Sequence, residues 1–210
     1  MTAEISGKSA KWRSYYEAVS GNPARDTTLL ALDKWHEENS SNGGYAIDLA
    51  CGEGRDTAEF LRRGWRVLAV DSEPAALDWL TARDDLTAPA ARPQTGSLET
   101  LCSPMEDAEW EAADIVNASF ALPFVPRDRF PGLWDRITGS LRPGGFFAGQ
   151  IFGPDDDWAS DSLSIYDRAG VDRLFQGFSF ERREEINRAG KDAHGNAKHW
   201  HMFHIVARKD

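Results

Sequence analysis

Ala46 to Thr57 reads AIDLACGEGRDT, and the fold follows from it. A short apolar strand ends in an acid at Asp48 and Leu49. Two glycines, Gly52 and Gly54, then turn the chain into a segment with helical patterning that runs to Arg63 and stops at Gly64. A strand, a glycine turn and a helix in that order set backbone N–H groups and a helix N-terminus beside the strand's carboxyl end, which is how chains seat nucleotides and related cofactors. The dinucleotide fingerprint wants a third glycine where this chain has Thr57, because helix and strand must approach closely there. An acid just ahead of the glycines repels a pyrophosphate and suits a ligand with positive charge, such as an amino group or a sulfonium.

Four further stretches fall into the same order. Trp65 to Asp71 (WRVLAVD) is a second strand ending in an acid, where a ribose-binding carboxylate is expected. Ala113 to Phe124 (ADIVNASFALPF), Leu141 to Phe147 (LRPGGFF) and His199 to Arg208 (HWHMFHIVAR) follow. Together with the glycine turn they resemble the motifs of class I S-adenosylmethionine-dependent methyltransferases. More narrowly, they resemble the small branch that includes tellurite-resistance and thiopurine-type enzymes. The resemblance runs from the glycine turn almost to the C-terminus. It implies S-adenosyl-L-methionine as cofactor and a Rossmann-like, doubly wound α/β fold, with a mostly parallel seven-stranded sheet and an antiparallel C-terminal hairpin.

The resemblance also implies roles for residues. Asp48, Gly52, Gly54 and Arg55 would hold the cofactor's amino-acid end and Asp71 its ribose hydroxyls, with Ala50 and Ser72 alongside in the seat. Ser97, Leu98 and Glu99 would lie next to the adenine ring; relatives often carry an acid at the first of these positions, and Ser97 departs from that. Asn117 and Phe120 would border the transferable methyl group, where Asn117 either orients a nucleophile or only satisfies backbone groups at a strand end. Tyr15, Tyr16 and His201 would stand on the acceptor side, so the catalytic candidates are Asn117, Tyr16 and His201. Arg25 either reaches the methionine carboxylate or is a surface residue.

With 210 residues, 41% hydrophobic and 11% aromatic, the chain can bury one good core, so a single domain over 1–210 is expected. A net charge of −10 leaves no surplus of Lys and Arg to neutralise phosphates, which argues against nucleic acid and against an anionic membrane as partners. No apolar run approaches a membrane span, and MTAEISGKSAK lacks the apolar core of a signal peptide, so a cytoplasmic location is expected. Cys51 and Cys102 fit a reducing compartment and offer no metal-ligand cluster; neither is read as a nucleophile.

Trp12, Tyr15, Tyr16 and Val19 share one helical face, which in the N-terminal helices of residues 1–40 serves either packing on the sheet or a lid over the cofactor. Asp26 can cap a following helix carrying Leu29, Leu32 and His36 on one side. Ser72, Glu73 and Pro74 start a helix with Ala76, Leu77 and Leu80 inside. A strand is placed at Gln94 to Ser97 after a polar loop. Phe130, Leu133, Trp134, Ile137 and Leu141 form a helical stripe ended by Pro143–Gly145, and Phe146 to Phe152 forms the next strand. GPDDDWASDS, Gly153 to Ser162, reads as a solvated loop bordering the substrate. A helix around Asp167 to Phe175 precedes strands Phe178 to Asn187 and His199 to Arg208.

In those last strands His199 and His201 share a face and His204 takes the other. Two imidazoles fall short of the three protein ligands of a catalytic zinc, so no metal is expected, and general-base work is the better use of one of them. Methyl transfer from a sulfonium is an in-line displacement that depends on alignment, and a base is needed only when the nucleophile arrives protonated. Short connections around the expected pocket point to a small-molecule acceptor and to a monomer or homodimer. A dinucleotide-dependent oxidoreductase and a non-enzymatic cofactor-binding protein are the alternatives.

Overall fold

Apolar strands alternating with amphipathic helices assemble into one seven-stranded sheet in the order β3-β2-β1-β4-β5-β7-β6. The structure is a computed structural model that describes residues 19, 21–39, 43–87 and 96–210. Helix α1 (Asp26–Glu38) precedes β1 (Tyr45–Leu49), followed by α2 (Arg55–Arg62), β2 (Arg66–Asp71), α3 (Pro74–Thr81), the single turn α4 (Asp84–Thr87), β3 (Ser97–Cys102) and β4 (Ala113–Ala118). A 3-10 turn (Leu122–Phe124), α5 (Phe130–Ser140), β5 (Leu141–Phe152), α6 (Arg168–Leu174), β6 (Phe178–Lys191) and β7 (Ala197–Lys209) complete it. Strands β1 to β5 run parallel, and β7 lies antiparallel between β5 and β6. The expected doubly wound sheet with its terminal hairpin is therefore present. Strand order reverses at β1, which pairs with both β2 and β4, and the carboxyl end of that crevice is where such folds bind ligands.

Alternation along each strand divides the core into two layers. Ile47, Val116, Phe147, Phe203 and Ile205 pack on one face with Leu133, Trp134 and Ile137 of α5 and Val171 of α6. Ala46, Ile115, Phe146, Ala148 and Val206 pack on the other with Ala31, Leu32 and Trp35 of α1 and Phe60 and Leu61 of α2. Trp35 and Phe60 meet Trp65 edge-on, at centroid distances of 4.5 and 5.5 Å, contacts worth about 0.5–1.5 kcal/mol beyond area burial.

Several expected boundaries move. Helix α1 buries Leu32 and Trp35 as expected, together with Thr27, Thr28 and Ala31 in place of Leu29 and His36, and its N-cap is Arg25, with Asp26 already in the first turn. Leu141 pairs with Ala113 and opens β5, so Arg142–Gly145 are an irregular entry to the strand; a Cβ on Gly145 would meet Asp114 O at 2.8 Å. Strand β3 begins at Ser97 and continues to Cys102. The Trp12–Tyr16 face, the lid expectation and the strand start at Gln94 lie outside the described residues.

Candidate active site

The glycine turn is tighter than its glycines alone announce. Ala50, Gly52 and Gly54 all take positive φ (52°, 56° and 80°), so three left-handed residues within five fold the chain back over the end of β1. A side chain at Gly54 is excluded twice, by that φ and by Leu80 Cδ1, 2.1 Å from where its Cβ would sit. Asp71, ending β2, pins the turn: its Oδ2 accepts the Gly52 N–H (2.9 Å) and its Oδ1 the Glu73 N–H (2.9 Å). Burial pushes the Asp71 carboxyl up, partly offset by these backbone donors. Each of its oxygens keeps a lone pair for a further donor.

Next to the turn, a row of polar side chains continues the α1–α2 face of the sheet toward its carboxyl edge: Asp48 on β1, Asn117 on β4, Gln150 on β5 and His204 on β7. Asp48 stands opposite Asn117, and Gln150 opposite His204. Asn117 is fully buried and fully engaged. Its amide donates to Asp48 Oδ1 (2.8 Å) and Asp56 Oδ2 (3.2 Å), and its Oδ1 accepts the Thr28 hydroxyl (3.0 Å). The Thr57 hydroxyl closes Asp48 Oδ2. Thr57 thus replaces the dinucleotide glycine with a side chain that the buried acid requires. Burial, and then the charge of Asp56, lift Asp48 from 3.8 to about 7.

Farther along the row, Gln150 Oε1 accepts the backbone N–H of Phe120 (2.8 Å), and its Nε2 donates to Thr27 Oγ1 (3.1 Å) and stands 3.4 Å from His204 Nδ1. Phe120 has φ +55°, a conformation that costs a non-glycine residue on the order of 1–2 kcal/mol and is held here by the Gln150 bond. The Arg25 guanidinium lies 4.4 Å from the Phe120 ring centroid, and the Arg25 N–H donates to Asp56 Oδ1 (2.7 Å), fastening the loop before α1 to the start of α2. Burial, followed by Arg182 and Arg25, holds His204 below 6.5 against the opposite pull of Glu184 and Asp26. Phe120 begins an aromatic edge that continues through Trp200 and Trp158 to Phe124, and the last two are the large apolar side chains left exposed.

Other expected site residues stand elsewhere. Ser97 and Leu98 pair with Arg66 and Val67 at the amino end of β2, while the seat is at the carboxyl end, where Asp71 faces Cys102; with Glu99 they are too early in β3 to reach the adenine place. Cys102, opposite Asp71, and Ser103, whose N–H donates to the Asp71 carbonyl (3.0 Å), end β3 beside the seat, and reading β3 to its end in SLETLCS would have found them. Arg55 turns to the Pro23 carbonyl (Nε at 2.8 Å). Ser72 is exposed beside Asp71. Tyr15 and Tyr16 lie outside the described residues.

His201 is on the opposite face of the sheet from Asp48, Asn117 and His204. Its Nδ1 accepts the Asp155 N–H (3.1 Å), which leaves Nε2 protonated toward Glu185 Oε1 (3.1 Å), so the ring is a fixed connector with no nitrogen left to work as a base. The loop that binds it is largely exposed, as expected, with Asp156 as the buried exception among its acids. Asp156 is buried and accepts from His201 N–H, Trp158 N–H and the Lys198 ammonium, while Asp157 accepts from His199 N–H. Lys198 in turn lies within 5.6 Å of the Phe152, Trp158 and Trp200 ring centroids. A separate cavity of about 390 Å³ lies between α5 and α6, against Trp134, Tyr166 and Arg173, and shares no residue with the seat.

Residues 46–145, from β1 to the entry of β5, match the family model described as a methyltransferase domain. The matched span is 100 of the 210 residues, and with the strand–glycine turn–helix order it makes the chain similar to class I S-adenosylmethionine-dependent methyltransferases. The match sets the chain beside proteins that use S-adenosyl-L-methionine and not beside dinucleotide-dependent enzymes. A carboxy-S-adenosyl-L-methionine synthase of Citrifermentans bemidjiense is 32% identical over 111 residues, covering 49% of this chain and 42% of the relative. The chain therefore spans about two fifths of the length of the curated relatives it matches. Among solved structures, TehB from Haemophilus influenzae has a TM-score of 0.71 at 16% identity, covering 93% of this chain and 66% of that one. The 1,6-didemethyltoxoflavin-N1-methyltransferase of Burkholderia thailandensis has a TM-score of 0.62 at 19% identity, covering 99% of this chain and 89% of that one. At these identities the likeness is one of fold. No helix among the described residues is long and apolar enough to cross a membrane.

Proposed function

We propose that this chain transfers the methyl group of S-adenosyl-L-methionine to a nitrogen, oxygen, sulfur or metalloid atom of a small molecule. The observation that carries the reading is the crevice between two strained backbone positions: the left-handed turn at Ala50–Gly54 on one side and left-handed Phe120, held by Gln150, on the other. Strain kept at both lips of a β1–β4 switch point is the mark of a preorganised site. In this reading Asp71 meets the ribose hydroxyls, and the aromatic edge from Phe120 to Phe124 is the acceptor wall.

The bond from carbon to the acceptor forms as the carbon–sulfur bond breaks, and its electron pair returns to sulfur, leaving S-adenosylhomocysteine. An acceptor that arrives protonated must lose its proton, and His204 is the group assigned to take it. That imidazole is half-buried, is kept uncharged at neutral pH and stands 6.1 Å, ring to ring, from Phe120. Asn117, with every hydrogen-bonding group engaged, acts through Asp48 as a positioning residue, and Tyr16 keeps its place as an acceptor-side candidate. A single domain, a cytoplasmic location and a monomer or homodimer belong to the same reading.

The test is S-adenosylhomocysteine titration by calorimetry, followed by turnover of S-adenosyl-L-methionine with selenite, tellurite, thiols, small amines and phenols. Binding and S-adenosylhomocysteine release with one acceptor class is the expected result. Folded protein that binds no S-adenosylhomocysteine would overturn the reading.

One finding favours a second reading: the curated relatives are named carboxy-S-adenosyl-L-methionine synthase. Under it the cofactor's methyl carbon gives up a proton and forms a C–C bond to CO2 released by a second, carboxylic-acid substrate, whose carbanion takes the proton, and Arg25 is the cation standing over Phe120 to meet the new carboxylate. Mass spectrometry of the nucleoside released from purified protein separates the two, since a carboxylated nucleoside belongs to this second reading alone.

A further inference from the structure

Three carboxylates gather at the glycine turn, and they differ in what they bind. Each oxygen of Asp48 already accepts one hydrogen bond, from Asn117 and from Thr57, and each oxygen of Asp71 accepts one backbone N–H. Glu53 lies between the left-handed Gly52 and Gly54. It is 5% exposed, and its Oε1 is buried with no hydrogen-bond partner. A buried carboxylate oxygen without a donor is destabilising, so the position requires a donor from outside the described residues.

The two nearest cations do not supply one. Arg55 binds the Pro23 carbonyl, and Arg83 donates to the backbone carbonyl of Glu53 itself (3.1 Å) and to both oxygens of Asp85. Their charges favour the ionised carboxylate at a distance, while burial raises its pKa. The acid predicted to meet the cofactor's positive charge, Asp48, is thus occupied, and the neighbouring acid is open.

We propose that Glu53 receives the α-ammonium group of the cofactor's amino-acid end on Oε1. This rests on S-adenosyl-L-methionine being the cofactor. Of the positive centres in that molecule, the sulfonium has no hydrogen to donate, whereas the ammonium carries three N–H donors and a full charge, which is what an orphaned buried carboxylate needs. The ribose hydroxyls are neutral donors and fall to Asp71, across the turn.

Glu53→Gln keeps the side-chain volume and one carbonyl acceptor while removing the charge. Calorimetry with S-adenosylhomocysteine, which retains the ammonium, is paired with thermal shift against 5′-methylthioadenosine, which keeps adenine, ribose and thioether but lacks the amino acid. The variant should bind S-adenosylhomocysteine at least tenfold more weakly, about 1.4 kcal/mol, and respond to 5′-methylthioadenosine as the wild type does. Unchanged S-adenosylhomocysteine binding overturns the proposal, and so does an equal loss for both ligands, which would place Glu53 at the ribose or in the turn's structure. A folded wild type that binds no S-adenosylhomocysteine overturns the cofactor reading itself. Should Glu53→Gln not fold, Glu53→Asp, which withdraws the carboxylate by one methylene, is read with the same two ligands.

Discussion

Two acidic turns sit at carboxyl ends of the same sheet, CGEG after β1 and GPDDD after β5, and they answer the cost of their charges in opposite ways. In the second, Asp156 and Asp157 are engaged from β7 through backbone N–H groups and the Lys198 ammonium, and Asp155 from β6 through the Asn187 amide (2.9 Å). In the first, Asp48 and Asp71 are matched internally while Glu53 keeps an oxygen without a donor. A turn whose acids are all matched holds two strands together. One that leaves an acid unmatched has room for a ligand's cation.

That contrast is broken most directly at the buried pair. Asp156→Ala should strand the Lys198 charge among its aromatic rings and cost about 3–5 kcal/mol, lowering Tm by about 10 °C, while S-adenosylhomocysteine affinity below the transition stays at the wild-type level. Thermal melts and calorimetry on one preparation check both halves, and Asp156→Asn with Lys198→Met should recover most of the loss. Gly54→Ala should do the reverse. Its left-handed φ and the Leu80 overlap together cost about 2–4 kcal/mol, and S-adenosylhomocysteine binding should be lost even where the protein remains folded.

On the acceptor side, His204→Asn should slow turnover of thiols and phenols about a hundredfold and leave a neutral aromatic nitrogen nearly unaffected. Because the imidazole is held below 6.5, the wild-type rate should rise with pH through an acidic limb below that value, and the variant should lack the limb. An unchanged pH–rate profile in the variant would remove His204 from proton transfer.

The smallest effect belongs to Asp48. Its folded-state value of about 7 lies above the ordinary 3.8, so between the two the folded chain holds a proton that the unfolded chain has released. Stability therefore falls as pH rises through that window. Asp48→Asn should flatten that decline between about pH 4 and about pH 7, read as a Tm that depends less on pH than the wild type's.

Legibility in the sequence followed the range of the forces involved. Strand order, the glycine turn, and the buried faces of α3 and of α5 up to Ile137 were readable because apolar periodicity and turn chemistry are local. The Asp48–Asn117–Gln150–His204 row was not, because its members lie on four strands and only register makes them neighbours. Gln150 was passed over inside the apolar run of β5, where a buried amide between Gly149 and Ile151 was the signal. His201 was preferred to His204 because alternation shows which residues share a face without showing which face meets the seat. Ser97 and Leu98 were misplaced by ending β3 at Ser97, whereas it runs to Cys102, a slip that moves a strand's binding end by several residues. Of the three aspartates read as solvated, Asp156 alone is buried, because β7 returns beside it and nothing local reveals that.

Strand β7 enters the sheet between β5 and β6, and it brings His204 to Gln150 across 54 residues of intervening chain. Vectorial synthesis therefore completes the two lips of the crevice at different times. The cofactor lip, built from β1, β2 and their turns, has all its residues early, whereas β5 must wait with an open edge for the strand that closes it. During that interval the nascent chain can hold the turns after β1 and β2 without the Gln150–His204 contact, an order that hydrogen exchange on stalled nascent chains would read directly.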